Sequence, residues 1–322
     1  MSLSVSFVRP APLVGVMEQV KPIEQIKKED TTPVGPRDKL QKEPTAATPP
    51  KAGNDLYYSM LANLGASRSE AAAANNSLIT SGQRSQHADY SLALLAKDVY
   101  APAATNIGGF TRLSDAALLS SGIDPASLFD TASGFQAGIY NNKQQYVLSF
   151  AGTNDIQDWL SNIRQATGYE DVQYNQAVAL GKTAKIAFGD ALVITGHSLG
   201  GGLAATAALA SGTFAVTFNA AGVSDHTLNR LGIDPTQARQ FAQSGGIRRY
   251  SEQHDLLTEA QESTSFIPDA IGHKITLANS DKLMGVNDWL PHKHLERSLA
   301  AHGIDKVLSS MNEQQPWERQ YA

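Results

Sequence analysis

The chain has 322 residues, a formal net charge of −5 and no cysteine. That charge, without any basic run interleaved with aromatics, argues against a nucleic-acid partner. The missing thiols exclude disulfides, thiolate metal sites and cysteine nucleophiles.

Composition is uneven along the chain. Eight of the 14 prolines fall within residues 1–50, amid Lys, Glu and Thr. Such a segment cannot bury a core, so residues 1–53 read as disordered. The start, Met1 to Pro10, has no basic region ahead of an apolar run, and a cleavable Sec signal is not expected. Residues 54–85 hold Leu56, Tyr57, Tyr58, Met60 and Leu61 before an alanine run. They fit either a solvated linker or a short docking helix.

Residues 86–322 read as one α/β domain. Helical spacing of apolar residues runs from Tyr90 to Val99, and Tyr146–Phe150 reads as a strand bounded by Gly152. Ile156, Trp159, Leu160 and Ile163 share one helical stripe, which suits a lid that meets lipid or an ordinary buried helix. Ala177, Leu180, Ala184, Ala187 and Phe188 recur at helical spacing and form a face for a sheet. Strands are further expected at Phe214–Phe218 and Ile247–Tyr250. Strands alternating with helices imply a mostly parallel sheet with helices on both faces.

The run Ala191 to Ala205 is the most informative stretch. A β-branched segment leads into Gly196-His197-Ser198-Leu199-Gly200-Gly201, and small residues follow. It reads as strand, sharp turn and helix, with Ser198 at the apex and no Asp, Glu, Lys or Arg between Asp190 and Asp225. A transmembrane span would need about 20 continuous apolar residues, and this stretch is broken by His197, Ser198 and glycines.

A serine hydroxyl becomes nucleophilic when an imidazole takes its proton and a carboxylate orients that imidazole. In α/β-hydrolase order the acid follows the serine and the histidine follows the acid. Asp255, just past the strand at Ile247–Tyr250, is the expected acid, with Asp225 as the alternative. His273, His292, His294 and His302 follow Asp255. His294, in what reads as a loop entering the last helix, is the expected base, with His292 and His273 next. The His292/His294 pair is too sparse a donor set for a metal site. The N–H of Leu199 and a donor on Thr153 are the expected oxyanion hole. His197 reads as a structural residue of the elbow.

Two blocks resemble the class 3 lipases of the α/β-hydrolase superfamily: Phe150-Ala151-Gly152-Thr153-Asn154-Asp155-Ile156-Gln157-Asp158-Trp159-Leu160 and Gly196 to Gly201. A softer third block is Thr217-Phe218-Asn219-Ala220-Ala221-Gly222. The resemblance implies an α/β-hydrolase fold over roughly residues 87–300. It assigns Ser198 as nucleophile, Asp255 as acid and Thr153 with Leu199 as oxyanion donors. One departure is Ala151, where that family has Arg before the Gly-Thr pair. More narrowly, the chain is similar to enterobacterial secreted phospholipase A1 enzymes exported by the flagellar type III apparatus. That likeness implies sn-1 acyl cleavage of glycerophospholipids at a membrane surface, Sec-independent secretion and a small accessory protein restraining the enzyme. It implies no cofactor. A triacylglycerol lipase or a thioesterase would share every residue named, and an inactive hydrolase fold serving as a binding module is the alternative from another class.

Overall fold

Short β-branched and aromatic runs alternate with longer alanine-rich segments, and the computed structural model resolves this alternation into a layered α/β arrangement. It describes residues 79–101, 106–153, 169–264, 267–279, 281 and 291–318. The chain divides into units Met1–Asn54 and Asp55–Ala322, and every described residue lies in the second. The segment expected to be disordered over 1–53, most of 54–85 and the stripe at 156–163 lie outside the described residues.

The described elements begin with α1 (Asp89–Asp98), β1 (Asn106–Ile107), β2 (Phe110–Arg112), α2 (Asp115–Ser120), β3 (Phe129–Asp130), β4 (Phe135–Asn141) and β5 (Tyr146–Phe150). Next come α3 (Tyr169–Phe188), β6 (Leu192–His197), α4 (Leu199–Ser211), β7 (Ala215–Phe218), α5 (Asp225–Arg230) and α6 (Pro235–Phe241). The chain continues through β8 (Ile247–Glu252), α7 (Leu256–Ser263), β9 (His273–Leu277), α8 (Pro291–His302) and α9 (Ile304–Gln314).

Strands β5 to β9 pair in parallel, in sequence order. The antiparallel strands β4, β2 and β1 extend the β5 edge, and β3 pairs with β4. The expected sheet is therefore mostly parallel at its centre, with an antiparallel margin that the sequence pattern did not announce. Strand β6 is buried along its whole length, because helices cover both of its faces.

One core packs α3 and α4 on the sheet, with Ala177, Leu180 and Ala184 beside Leu203, Ala204 and Ala207. The other packs α1 and α9 on the opposite face, with Leu92, Leu95, Val307 and Met311 over Val193, Val216 and Tyr250. Right-handed crossovers that advance across a sheet in one direction all lie on one face. The second face is left to the first and last of the described helices. This topology brings the carboxyl end of α8 back over the sheet just before α9 docks.

A buried ion pair ties the start of the domain to β8. Arg248 Nη2 and Nε donate to the Asp89 carboxylate at 2.6 and 2.9 Å, and both side chains are essentially excluded from solvent. Further bonds surround the pair: Arg248 Nη1 donates to the carbonyls of Thr80 and Gly82, and Tyr250 Oη donates to Asp89 Oδ2. Removing one member of such a pair strands a buried charge, at a cost of about 3–5 kcal/mol. Arg248→Met is therefore expected to lower unfolding stability by that amount in urea titrations. The double variant Asp89→Asn/Arg248→Met should lose less than the two single losses added together.

Candidate active site

Strand β6 ends at His197, and α4 begins at Leu199, so the chain reverses at one residue. Ser198 takes φ 58° and ψ −130°, a conformation that is strained for a residue with a side chain. The turn closes because two neighbours have no Cβ. A Cβ on Gly196 would lie 2.2 Å from the Gly200 carbonyl oxygen, and one on Gly200 would lie 2.2 Å from that of Phe150. The second contact presses the end of β5 against the elbow, and Thr153 follows this contact by three residues. Gly152 N donates to Tyr100 Oη at 2.8 Å. Burial pushes that phenol up to about 12, so it remains protonated.

Backbone bonds lock the Ser198 position. Its N–H donates to the Phe218 carbonyl at 3.1 Å, and its carbonyl accepts from Gly201 N and Ala221 N, each at 2.9 Å. The hydroxyl oxygen then lies 2.9 Å from His302 Nε2, and His302 Nδ1 lies 2.6 Å from Asp255 Oδ1. An ionised carboxylate can only accept, so Nδ1 carries the proton and Nε2 is left to accept from the serine hydroxyl.

Asp255 emerges three residues past the end of β8, which runs to Glu252, two residues longer than the sequence pattern suggested. It is fully buried and caps α7, accepting from Thr258 N at 2.9 Å and Thr258 Oγ1 at 2.5 Å. An N-cap is the ordinary use of an aspartate at such a position, and here the cap also faces an imidazole. Burial pushes the carboxyl upward, but the bond and charge of His302 and the bonds from Thr258 outweigh it and hold Asp255 below the usual carboxylate range.

The expected base is corrected by this geometry. His294 is exposed in the first turns of α8, where its Nδ1 lies 3.5 Å from Arg297 Nη2. His302 closes the same helix, eight residues and about 12 Å further along its axis. Residues 291–299 are already helical, so the histidine that reaches the serine is the one at the helix end, not at its start. His292 is likewise exposed. His273 opens β9 opposite Arg248, at the amino end of the parallel strands and away from the elbow. Asp225, the alternative acid, starts α5 and pairs with Arg239 at the surface. The sequence signal for the base was a His-Gly pair, His302-Gly303, at a helix stop. Among the described residues no group of three His, Asp or Glu side chains is disposed to hold a metal ion. No helix there is long and apolar enough to cross a membrane.

Chain order distinguishes the folds that assemble such groups. Serine first, then carboxylate, then imidazole, set at the carboxyl ends of parallel strands, is the order of the α/β-hydrolases, the class to which this fold belongs. A family described as phospholipase-like, with a Tle-like phospholipase domain, matches residues 91–298, and the chain belongs to that family. Extracellular phospholipase A1 of Serratia liquefaciens is 70% identical over 264 residues, which span 82% of each chain. Among solved structures, a Rhizomucor miehei lipase propeptide complex is 17% identical over 60% of this chain and 66% of its own, with a TM-score of 0.41. A Pyrobaculum calidifontis esterase is 11% identical over 71% of this chain and 92% of its own, with a TM-score of 0.26. The kinship with secreted phospholipase A1 enzymes that the length, the cysteine-free start and the elbow implied therefore holds.

A second buried carboxyl lies beside the first. Glu252 is 2% exposed, and Ser310 Oγ donates to its Oε1 at 2.8 Å. Its Oε2 has no hydrogen-bond partner among the described residues. Burial pushes this carboxyl up to about 7, with Asp281 and Asp255 adding to the rise and Ser310 and Lys306 opposing it. The native protein thus keeps a proton that the unfolded chain releases near 4.5. Stability from this site is full below that pH and is lost as pH rises towards 7. Glu252→Gln should flatten that decline, so that urea midpoints measured at pH 5 and pH 7 differ less in the variant than in the parent.

Proposed function

We propose that this protein is a phospholipase A1 that cleaves the sn-1 acyl ester of glycerophospholipids through an acyl-enzyme on Ser198. The unbroken hydrogen-bond chain from Ser198 Oγ through His302 to Asp255 carries the reading of the chemistry. The 70% identical relative, named an extracellular phospholipase A1, supports the substrate class.

In this mechanism Ser198 Oγ bonds to the acyl carbon while His302 Nε2 takes its proton, and Asp255 stabilises the imidazolium. Negative charge grows on the former carbonyl oxygen. The N–H of Leu199, first residue of α4, is among the donors that a helix start leaves without an intrahelical partner. It and a donor on Thr153 receive that charge, and one such donor is worth about 3 kcal/mol. The imidazolium then protonates the departing glycerol oxygen. Water then bonds to the acyl carbon as His302 removes its proton, the bond to Ser198 Oγ breaks, and the imidazolium returns that proton to Oγ as the fatty acid leaves. Every proton moves between Ser198, His302, substrate and water.

Secretion belongs to the same reading, since the relative is extracellular by name. We further assign residues 1–53 to a Sec-independent export route, with a small accessory protein restraining the enzyme before export. Deleting residues 2–53 should leave hydrolysis in lysates intact and keep the enzyme out of the medium. Continued accumulation outside the cell would overturn the export role.

The central test uses phosphatidylcholine with distinguishable acyl chains at sn-1 and sn-2. The expected product is the sn-1 fatty acid. Ser198→Ala and His302→Ala should each lose at least about 10⁴-fold in kcat, whereas His294→Ala should stay within about twofold of the parent, because His294 lies outside the hydrogen-bond chain. A fluorophosphonate should label Ser198 in the parent. Release of the headgroup alone would overturn the proposal, and cleavage of triacylglycerol without phospholipid would favour a neutral lipase.

A further inference from the structure

The base sits at a helix end, and helix ends leave carbonyls without partners. At this one the carbonyls are claimed by two buried side chains that the chemistry above does not use. Asn219 Nδ2 donates to the carbonyls of Ala301 and His302, each at 3.0 Å. His197 Nε2 donates to the same His302 carbonyl at 2.7 Å. On its other side, Asn219 Oδ1 accepts from Glu252 N at 2.8 Å, at the end of the strand that leads to Asp255. The Asn219 backbone N–H donates to the Tyr250 carbonyl at 2.8 Å.

We propose that Asn219 and His197 are positioning residues for catalysis: together they clamp the His302 backbone, so that acid, base and nucleophile share one rigid frame. This proposal rests on the Ser198–His302–Asp255 reading of the site. Asn219 joins the base-bearing helix to the acid-bearing strand, and His197 joins that helix to the nucleophile's own strand.

Three observations support the assignment. Asn219 is fully excluded from solvent and stands at φ 42°, a conformation that Asn tolerates better than most residues. Its amide faces one N–H and two carbonyls, so only a group that both donates and accepts can fill the place. Aspartate would set oxygen against two carbonyls, and an aliphatic residue would leave three buried backbone groups unsatisfied. His197 is buried in the elbow beside His302, with ring centroids 5.0 Å apart. Burial and the neighbouring imidazole push it down to about 3, so its Nε2–H donor persists across the working pH range and the clamp does not titrate.

The reason the clamp matters for rate is geometric. His302 must hold a 2.9 Å contact to the serine and a 2.6 Å contact to the aspartate from a single backbone position at a helix break. Misplacement of a reacting group by about 1 Å costs on the order of a hundredfold in rate. A purely structural cap would cost stability and leave kcat per folded molecule unchanged.

The test compares Asn219→Gly, His197→Phe and His197→Gln with the parent, using the full chain and a short-chain p-nitrophenyl ester, which avoids interfacial binding. Fluorophosphonate labelling of parental Ser198 checks the underlying site reading separately. A parent that hydrolyses no ester and takes no label would overturn that reading, and the clamp with it. With the parent active, Asn219→Gly should lower kcat on the order of a hundredfold while KM stays within about twofold. The downfield proton resonance of the His302 Nδ1–H to Asp255 bond should move or broaden. His197→Phe should behave in the same way, and His197→Gln, whose amide can place an N–H near the lost donor, should recover much of the loss. Should Asn219→Gly fail to fold, the His197 pair decides alone, since it acts on the same carbonyl. Activity that falls only with the folded fraction, an unshifted resonance, or equal losses in His197→Gln and His197→Phe would overturn the clamp.

Discussion

The backbone of Ser198 is the constraint on which the rest of this site depends. A residue held at φ 58° persists only where its surroundings over-determine it. Here they do so by crowding: the helix and the end of β5 approach so closely that two of the flanking positions have no room for a side chain. Hydrogen bonds from α4 and from the end of β7 with the loop after it then fix the serine's amide and carbonyl. The hydroxyl is thereby held against an imidazole that arrives from more than a hundred residues away.

That arrival follows from topology. Crossovers that step in one direction along the parallel strands keep their helices on one face of the sheet. The opposite face is covered by helices that lie outside those crossovers, α1 and α9, which bury Leu92, Leu95, Val307 and Met311. Docking α9 fixes where α8 stops. The break at Gly303 leaves His302 at the carboxyl edge of the sheet, beside the elbow and the α7 cap.

Strand β8 illustrates how differently buried charge is used at its two ends. Near its start, Arg248 and Asp89 neutralise each other, and Arg248 also holds the carbonyls of Thr80 and Gly82, which anchors the segment before α1. Near and beyond its far end, Glu252 and Asp255 bring two carboxyls into one buried neighbourhood. Asp255 is held as the anion by His302 and Thr258, while burial favours the protonated form of Glu252. Two like groups are thus driven apart in protonation, so in mildly acidic solution the one facing the imidazole carries the charge.

Local chemistry made the elbow, the strands at residues 146–150 and 247–250, the helix face at Ala177 to Ala184 and the position of the Asp255 carboxylate just past a strand legible in the sequence. Each depends on periodicity, turn residues or position just past a strand, which are properties of a short window. The imidazole partner of Ser198 was not legible, because which of four histidines meets it is settled by where α8 ends and how α9 packs, and neither contact is local. The same holds for Asn219, His197 and Glu252, whose partners lie between 33 and 105 residues away. The sequence by itself determined a serine raised on a strained strand-to-helix turn. Only the tertiary structure decided which imidazole reaches it, since that distance is set by packing across the whole sheet.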